Sequence, residues 1–146
     1  MAEQRNCPKL AADAICIKTN KQTNKKQILL ITRKKNPSIG CFALPGGHVE
    51  YGEDPQECVV RELEEETSIQ GKNARLFTVR GKPNRDPRYH VVTIVYWVDI
   101  SDDAEPKAGD DAATATFYDV DEVKSFGPER FAFDHHDLIQ EILKQV

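Results

Sequence analysis

Glu62, Glu65 and Glu66 stand within the run Arg61-Glu62-Leu63-Glu64-Glu65-Glu66, where helical spacing of three and four residues puts their carboxylates on one face. Like charges at this spacing destabilise a helix by roughly 0.2–0.5 kcal/mol per pair, and no Lys falls between Gly52 and Gly71 to offset them. The counter-charge such a pattern calls for is a hard divalent cation, Mg2+ or alternatively Mn2+, which takes oxygen ligands and keeps positions open for water and phosphate oxygens.

The residues just upstream define the element that carries these acids. Asp54-Pro55-Gln56-Glu57 reads as an N-cap, a proline at the first helical position, and an acid that completes a capping box. The helix is therefore expected from about Pro55 to about Thr67. On its wheel Cys58, Glu62, Glu65 and Glu66 share one arc, and Val59, Val60 and Leu63 occupy the next, so the carboxylates border the buried face. Glu57 and Arg61 are four apart in the favourable acid-then-base order, and Arg61 is placed to hold neighbouring carboxylates. Before the helix lie Leu44-Pro45-Gly46-Gly47 and then Gly52, glycines that let a tight loop bring backbone close to a ligand.

The segment from Gly47 through Glu53 and the acidic run to Ile69 resembles the Nudix box, the signature of hydrolases acting on nucleoside diphosphates linked to another moiety. It departs from the family pattern at Ser68, where glycine is usual. A left-handed Ser68 ending the helix is one expectation; termination at Gly71 is the other.

With 146 residues, 39% hydrophobic and 30% charged, the chain is long enough to bury a core, and 1–146 is read as a single domain. A net charge of -4 argues against a broad surface for extended nucleic acid, because phosphate backbones are held by clustered Lys and Arg. The densest basic residues, Lys21 to Lys26 and Arg33-Lys34-Lys35, are read as decorating a hairpin and a loop. There is no apolar run of membrane length, and Met1 to Pro8 lack the apolar segment of a leader, so the expected compartment is the cytoplasm. Cys7, Cys16, Cys41 and Cys58 show no CxxC pairing and read as free thiols; His48, His90, His135 and His136 read as loop or cap residues.

Strand-like runs cover Leu10 to Lys18, Gln27 to Arg33, Phe42 to Leu44, Lys72 to Arg80, Val91 to Ile100 and Ala113 to Val120, with Thr19 to Lys26 as a hairpin loop. Asp134 to Gln145 reads as a closing helix with Asp134 as N-cap and Phe133 and Leu138 as a hydrophobic staple. The order predicts an α/β fold, a mixed sheet with helices packed on its faces, in agreement with the α/β/α sandwich that the resemblance implies.

Beyond the box, Pro83-Asn84-Arg85-Asp86-Pro87-Arg88, Gly109-Asp110-Asp111-Ala112 and Phe131-Ala132-Phe133-Asp134-His135 resemble segments of small ADP-ribose pyrophosphatases of the Nudix family. The resemblance implies Mg2+-dependent hydrolysis of the pyrophosphate of ADP-ribose to AMP and ribose 5-phosphate, with a small-molecule nucleotide substrate and a possible homodimer. It implies Glu65, Glu66 and the Gly47 carbonyl as metal ligands, Glu62 as a ligand or helper of the base, Glu53 as support, and Arg61 as the residue that orients the carboxylates. A further acid is expected from a loop: Asp110 and Asp111 are the candidates, Asp102, Asp103 and Glu105 the rivals, and solvated turns the alternative for all five.

Arg33, Arg85 and Arg88 are candidates for substrate phosphate or ribose, and a structural salt bridge is the competing role for the last two. Phe42 is a candidate to stack on the base, as are Tyr89, Tyr96 and Phe117, although aromatic side chains more often fill cores. Rival functions are hydrolysis of nucleoside triphosphates or dinucleoside polyphosphates, and a non-catalytic module that senses ADP-ribose. The intact carboxylates argue against the sensor.

Overall fold

The computed structural model describes residues 6–146; Met1–Arg5, part of the segment read as lacking a leader, lie outside the described residues. The strands are β1 (Lys9–Ile15), β2 (Ile17–Thr19), β3 (Lys26–Arg33), β4 (Phe42–Ala43), β5 (Gly46–His48), β6 (Lys72–Arg80), β7 (Val91–Asp99) and β8 (Ala112–Asp119). The helices are α1 (Pro55–Thr67), α2 (Val120–Val123) and α3 (His135–Leu143), with a short 3-10 turn at Pro128–Arg130.

The expected mixed sheet has the order β5-β1-β7-β6, with β1 and β7 parallel and both outer pairs antiparallel. A second, antiparallel sheet accompanies it: β2 and β4 pair with one edge of β3, and β8 pairs with the other. Two small departures from the predicted strands have local causes. The first run breaks at Cys16, whose backbone leaves one sheet before β2 joins the other. Val120, expected to end the last strand, opens α2 instead.

Strand alternation sends neighbouring residues to opposite faces, and each face is covered by a different helix. Ala12, Ala14 and Cys16 of the first strand segment, with Leu29, Tyr96 and Val98, pack against Cys58, Val59 and Leu63 of α1. Ile15, Ile28, Leu30 and Val95 face the other way, onto Leu138, Ile139, Ile142 and Leu143 of α3. Helices on the sheet faces are what the order of periodicities predicts, and the three layers are those the family resemblance implies. Burying each Val, Leu or Ile among these contributes roughly 1.5–3 kcal/mol, so both helices are fixed by their apolar faces and their polar residues are free to serve a site.

Phe42 belongs to this core. It is buried among Phe126, Tyr118 and Phe131, with the Phe126 ring stacked 5.2 Å away. The expectation that it stacks on a nucleotide base is therefore corrected: its ring is already covered by three others. Tyr96 is likewise buried, and Phe117 lies beneath the Lys18 ammonium at 4.2 Å.

Candidate active site

Helix α1 begins and ends where its sequence indicates. The Asp54 side chain accepts a hydrogen bond from the Gln56 N–H at 2.9 Å, and Pro55 occupies the first turn. The reciprocal half of a capping box does not form with Glu57; the carboxylate that reaches back to a backbone amide is Glu53, which accepts from Glu50 N–H at 3.0 Å. At the other end Ser68 has φ 63°, its N–H donating to Glu64 O at 2.8 Å. Ile69 then turns back and is buried against Leu63 and Val59. The left-handed reading of Ser68 holds, and Gly71 is not the terminator.

Arg61 organises the acidic face. Its Nε and one terminal nitrogen donate to the two oxygens of Glu53 at 2.7 and 2.9 Å. Its other terminal nitrogen donates to Glu62 at 3.0 Å and Glu65 at 3.1 Å. The expected pair with Glu57 is not made, because Glu53 offers a two-pronged partner on the side where the guanidinium already faces Glu62 and Glu65. These bonds hold the Glu53 carboxyl at about 2 and raise the guanidinium above its ordinary range. With its donors taken up by Glu53, Glu62 and Glu65, Arg61 positions the carboxylates.

Glu62, Glu65 and Asp110 each bring one oxygen within 4.8 Å of the others. Three hard carboxylate donors at this separation suit Mg2+ or Mn2+. Burial raises the Glu62 carboxyl, and Glu65 and Asp110 add to that rise, the response of an acid facing other acids. Gly47 lies directly against this group: a Cβ built there would fall 2.4 Å from Glu62 Cδ.

Asp110, 44 residues beyond Glu66, is brought in by its loop. Lys107 N–H donates to Thr67 O at 2.8 Å, Gly109 N–H to Glu66 O at 3.0 Å, and Ser68 Oγ to Lys107 O at 3.3 Å. The loop is thus strapped to the end of α1. Asp111, its neighbour, instead pairs with Lys35 at 3.0 Å. Asp103 pairs with Lys21 and Asp102 accepts from Thr19 N–H, both beside the β2–β3 hairpin, and Glu105 is exposed. Among the five loop acids, the structure brings Asp110 alone into the cluster.

Glu66 is turned differently. Its carboxyl is buried and accepts the Gly46 N–H at 2.7 Å, and burial pushes it up to about 9. It does not join the group of oxygens within 4.8 Å formed by Glu62, Glu65 and Asp110, although the Glu62 charge adds to its rise. It faces instead a cavity of about 160 Å3 that begins at Gly46 and Gly47.

All three candidate arginines line the cavity, two of them over an aromatic ring. Arg33 lies over the Phe133 ring at 5.0 Å, and Arg88 over the same ring at 5.6 Å. Arg88 also donates to both oxygens of Asp86, at 3.1 and 2.8 Å. Arg85 is more deeply committed: it donates to Asp134 at 3.0 and 2.8 Å and to Thr93 Oγ1 at 2.8 Å, with a side chain 5% exposed. Although burial alone would raise the Asp134 carboxyl, these bonds bring it below its usual value. Asp134 therefore makes no side-chain cap on α3, contrary to expectation, because Arg85 holds its oxygens. Nor is the staple formed: Phe133, at φ 53°, packs beside Ile31, Ala43 and Ala132, whereas Leu138 enters the α3 core.

Three cavity residues were not found by reading the sequence. Phe133 is expected in the staple, and His135 in a loop or cap. His135 is buried, its Nδ1 accepting the Leu44 N–H at 3.1 Å and its Nε2 lying 3.6 Å from Asp13. Asp13 is a buried acid inside the apolar β1, and that isolation among alanines and isoleucine was the available signal. Strand β5 was also missed, since Gly46 and Gly47 have no β-propensity; its pairing with β1 places Gly46 opposite Asp13 and Gly47 opposite Ala12.

The NUDIX domain model matches residues 9–142. The chain is 46% identical over 137 residues to an ADP-ribose pyrophosphatase of Methanocaldococcus jannaschii, covering 94% of this chain and 74% of that protein. It is 32% identical to an ADPR responsive transcriptional repressor of Acinetobacter baylyi over 79% of this chain but 46% of the repressor. Among solved structures, a MutT/nudix family protein from Enterococcus faecalis superposes with a TM-score of 0.85 at 30% identity, covering 99% of this chain and 62% of that one. Carboxylate face, glycine loop and three-layer fold agree with these matches, and the chain belongs to the NUDIX family.

Proposed function

We propose that this protein hydrolyses the pyrophosphate bond of ADP-ribose, or of a closely related nucleoside diphosphate derivative, to give AMP and ribose 5-phosphate. The observation that carries this reading is the junction at Gly46-Gly47, where a three-carboxylate cluster meets a cavity lined by Arg33 and Arg88. The relative from Methanocaldococcus jannaschii, whose name is ADP-ribose pyrophosphatase, supports the same assignment.

Glu62, Glu65 and Asp110 would hold Mg2+, with Mn2+ as the alternative. When bound, the cation offsets pyrophosphate charge and lowers the pKa of an attacking water. The chain's own residues supply the rest. Arg61 keeps Glu62 and Glu65 from swinging apart, and Glu53 anchors Arg61. Arg88 and Arg33 face the cavity with guanidinium groups suited to phosphate oxygens. Burial holds Glu66 at about 9, and its oxygen fixes the Gly46 amide beside the reaction site. Asp111, paired with Lys35 and lining the cavity, is the remaining acid for proton transfer.

A cytoplasmic location accords with a chain in which no described helix is long and apolar enough to cross a membrane. The net charge of -4 supports a small nucleotide as the partner in place of extended nucleic acid, and a homodimer, which the family resemblance implies, belongs to the same proposal. A second reading, an ADP-ribose sensor, is favoured by the similarity to the repressor of Acinetobacter baylyi. The deciding test is incubation with Mg2+ and a panel of ADP-ribose, dinucleoside polyphosphates, NADH and nucleoside triphosphates, with products separated by chromatography. AMP and ribose 5-phosphate as dominant products support the hydrolase; tight ADP-ribose binding without turnover selects the sensor, and preferred cleavage of a triphosphate moves the assignment to that substrate class.

A further inference from the structure

Asp13 occupies a position that a strand core would ordinarily give to an apolar residue. Ala12, Ala14 and Ile15 around it are buried, and its own side chain is 10% exposed, into the cavity. Among the described residues its ion-pair neighbour is His135 Nε2 at 3.6 Å, beyond hydrogen-bond reach. Because His135 Nδ1 accepts from the Leu44 amide, the neutral ring carries its proton on Nε2, toward Asp13. A carboxyl this buried is costly unless a donor reaches it, and the open direction is the cavity.

Strand β5 runs close against this acid and its backbone. A Cβ on Gly46 would lie 2.0 Å from Asp13 Oδ1, so a side chain there and the carboxyl could not share the space. The cavity itself, about 160 Å3, is smaller than the roughly 300–1,000 Å3 that holds a drug-sized ligand. It matches one sugar ring rather than a whole nucleoside. Across from Asp13, Arg33 and Arg88 lie over Phe133, while Glu66 is on the acid's side at Gly46.

We propose that Asp13 is a specificity-determining residue, accepting hydrogen bonds from the hydroxyls of the sugar beyond the pyrophosphate and disfavouring a terminal phosphate in the same place. The inference rests on the assignment of the protein as an ADP-ribose hydrolase and names the part of the site that distinguishes sugar from phosphate. Hydroxyls donate to a carboxyl in either of its protonation states, whereas a terminal phosphate has little to donate and is repelled by the ionised form of Asp13. Burial, the largest influence, brings the Asp13 carboxyl up to about 7, which leaves it able to accept from hydroxyls throughout the neutral range.

The test compares wild type, Asp13→Asn and Asp13→Ala with Mg2+ on three substrates: ADP-ribose, its analogue lacking the 2-hydroxyl of the distal sugar, and ATP. In the variants kcat/KM for ADP-ribose should fall about tenfold or more, chiefly through KM, while that for ATP stays level or rises. The deoxy analogue should cost the wild type a similar factor and cost the variants nothing further, the non-additivity expected of a direct contact. Parallel losses on all three substrates, or an equal analogue penalty in wild type and variants, overturn the proposal. So does a wild type that treats the analogue like ADP-ribose, a result that needs no variant to fold. A wild type that prefers ATP overturns the proposed function as well, which separates the two failures.

Discussion

The two halves of the site handle charge in opposite ways. On α1, the single guanidinium of Arg61 is shared by Glu53, Glu62 and Glu65, and Asp110 adds a further acid without an ion-pair partner among the described residues. In the cavity, Arg85 has Asp134 and Arg88 has Asp86, each a two-pronged pair. The first half carries more acid than its one guanidinium offsets and is the half proposed to take a cation. The second is close to neutral by itself, so it discriminates through shape and hydrogen-bond direction more than through net charge.

The largest effect is expected in the half that needs the cation. Glu65→Gln or Asp110→Asn should lower turnover by roughly a thousandfold or more, since the charge stabilisation a bound metal supplies is worth several kcal/mol. Asp111→Asn should leave cation affinity near wild type, because Lys35 and not the cluster is its partner. Mg2+ titrations of activity, with circular dichroism to confirm folding, check both; a strong cation-affinity loss in the Asp111 variant would merge the two acids that the geometry separates.

Breaking the self-contained half should appear first as lost stability. Arg85→Met leaves Asp134 partly buried with no partner and should cost about 3 kcal/mol in denaturant melts. Arg85→Met combined with Asp134→Leu should recover much of that loss. An Arg85→Met protein as stable as wild type would show that the pair contributes little.

A smaller effect follows from Asp13. Its carboxyl titrates at 3.8 as a free side chain and at about 7 in the fold, chiefly through burial, with Arg85 and Arg33 opposing and Asp134 and Glu62 reinforcing the rise. Between those values the folded chain binds a proton that the unfolded chain does not, so this contribution is complete below 3.8 and is lost as pH rises through about 7. Relative to Asp13→Asn, where no proton is exchanged, the denaturant midpoint of the wild type in EDTA should fall over that window. His135, held down to about 4 mainly by burial and titrating at 6.5 as a free side chain, acts in the opposite direction between those two values, in wild type and variant alike.

The smallest concerns Ser68. Glycine adopts φ 63° without the Cβ crowding that serine suffers, but the change also removes the Ser68 Oγ bond to Lys107 O. Ser68→Gly should raise stability by about 0.5 kcal/mol, read as a slightly higher denaturant midpoint. A lower midpoint would mean that the strap outweighs the backbone strain.

What the sequence disclosed follows the same division. The α1 half was readable because its cap, proline, acids and left-handed Ser68 obey rules that act within a few residues. Even Arg61 was read correctly as a holder of carboxylates, although Glu57 was the wrong partner. The cavity half joins residues far apart: Arg85 meets Asp134 across 49 positions, and Asp13 meets His135 across the whole domain. Asp134 before a helix looks like a cap by every local rule, and a buried guanidinium overrides it. Which of Asp110 and Asp111 joins the cluster depended on loop direction, which adjacent aspartates cannot disclose.

The strap between the end of α1 and the loop carrying Asp110 has a thermodynamic consequence. Thr67 O, Glu66 O and Ser68 Oγ hold Lys107 and Gly109, so a cation gripped by Glu62, Glu65 and Asp110 would close a ring from the middle of the helix, across the ion, through the loop and back to the helix end. Fraying of the last turn and release of the ion then become one equilibrium seen from two sides. Each factor by which Mg2+ binds the ordered end more tightly than the frayed one must appear as an equal factor in the protection of those backbone amides from exchange.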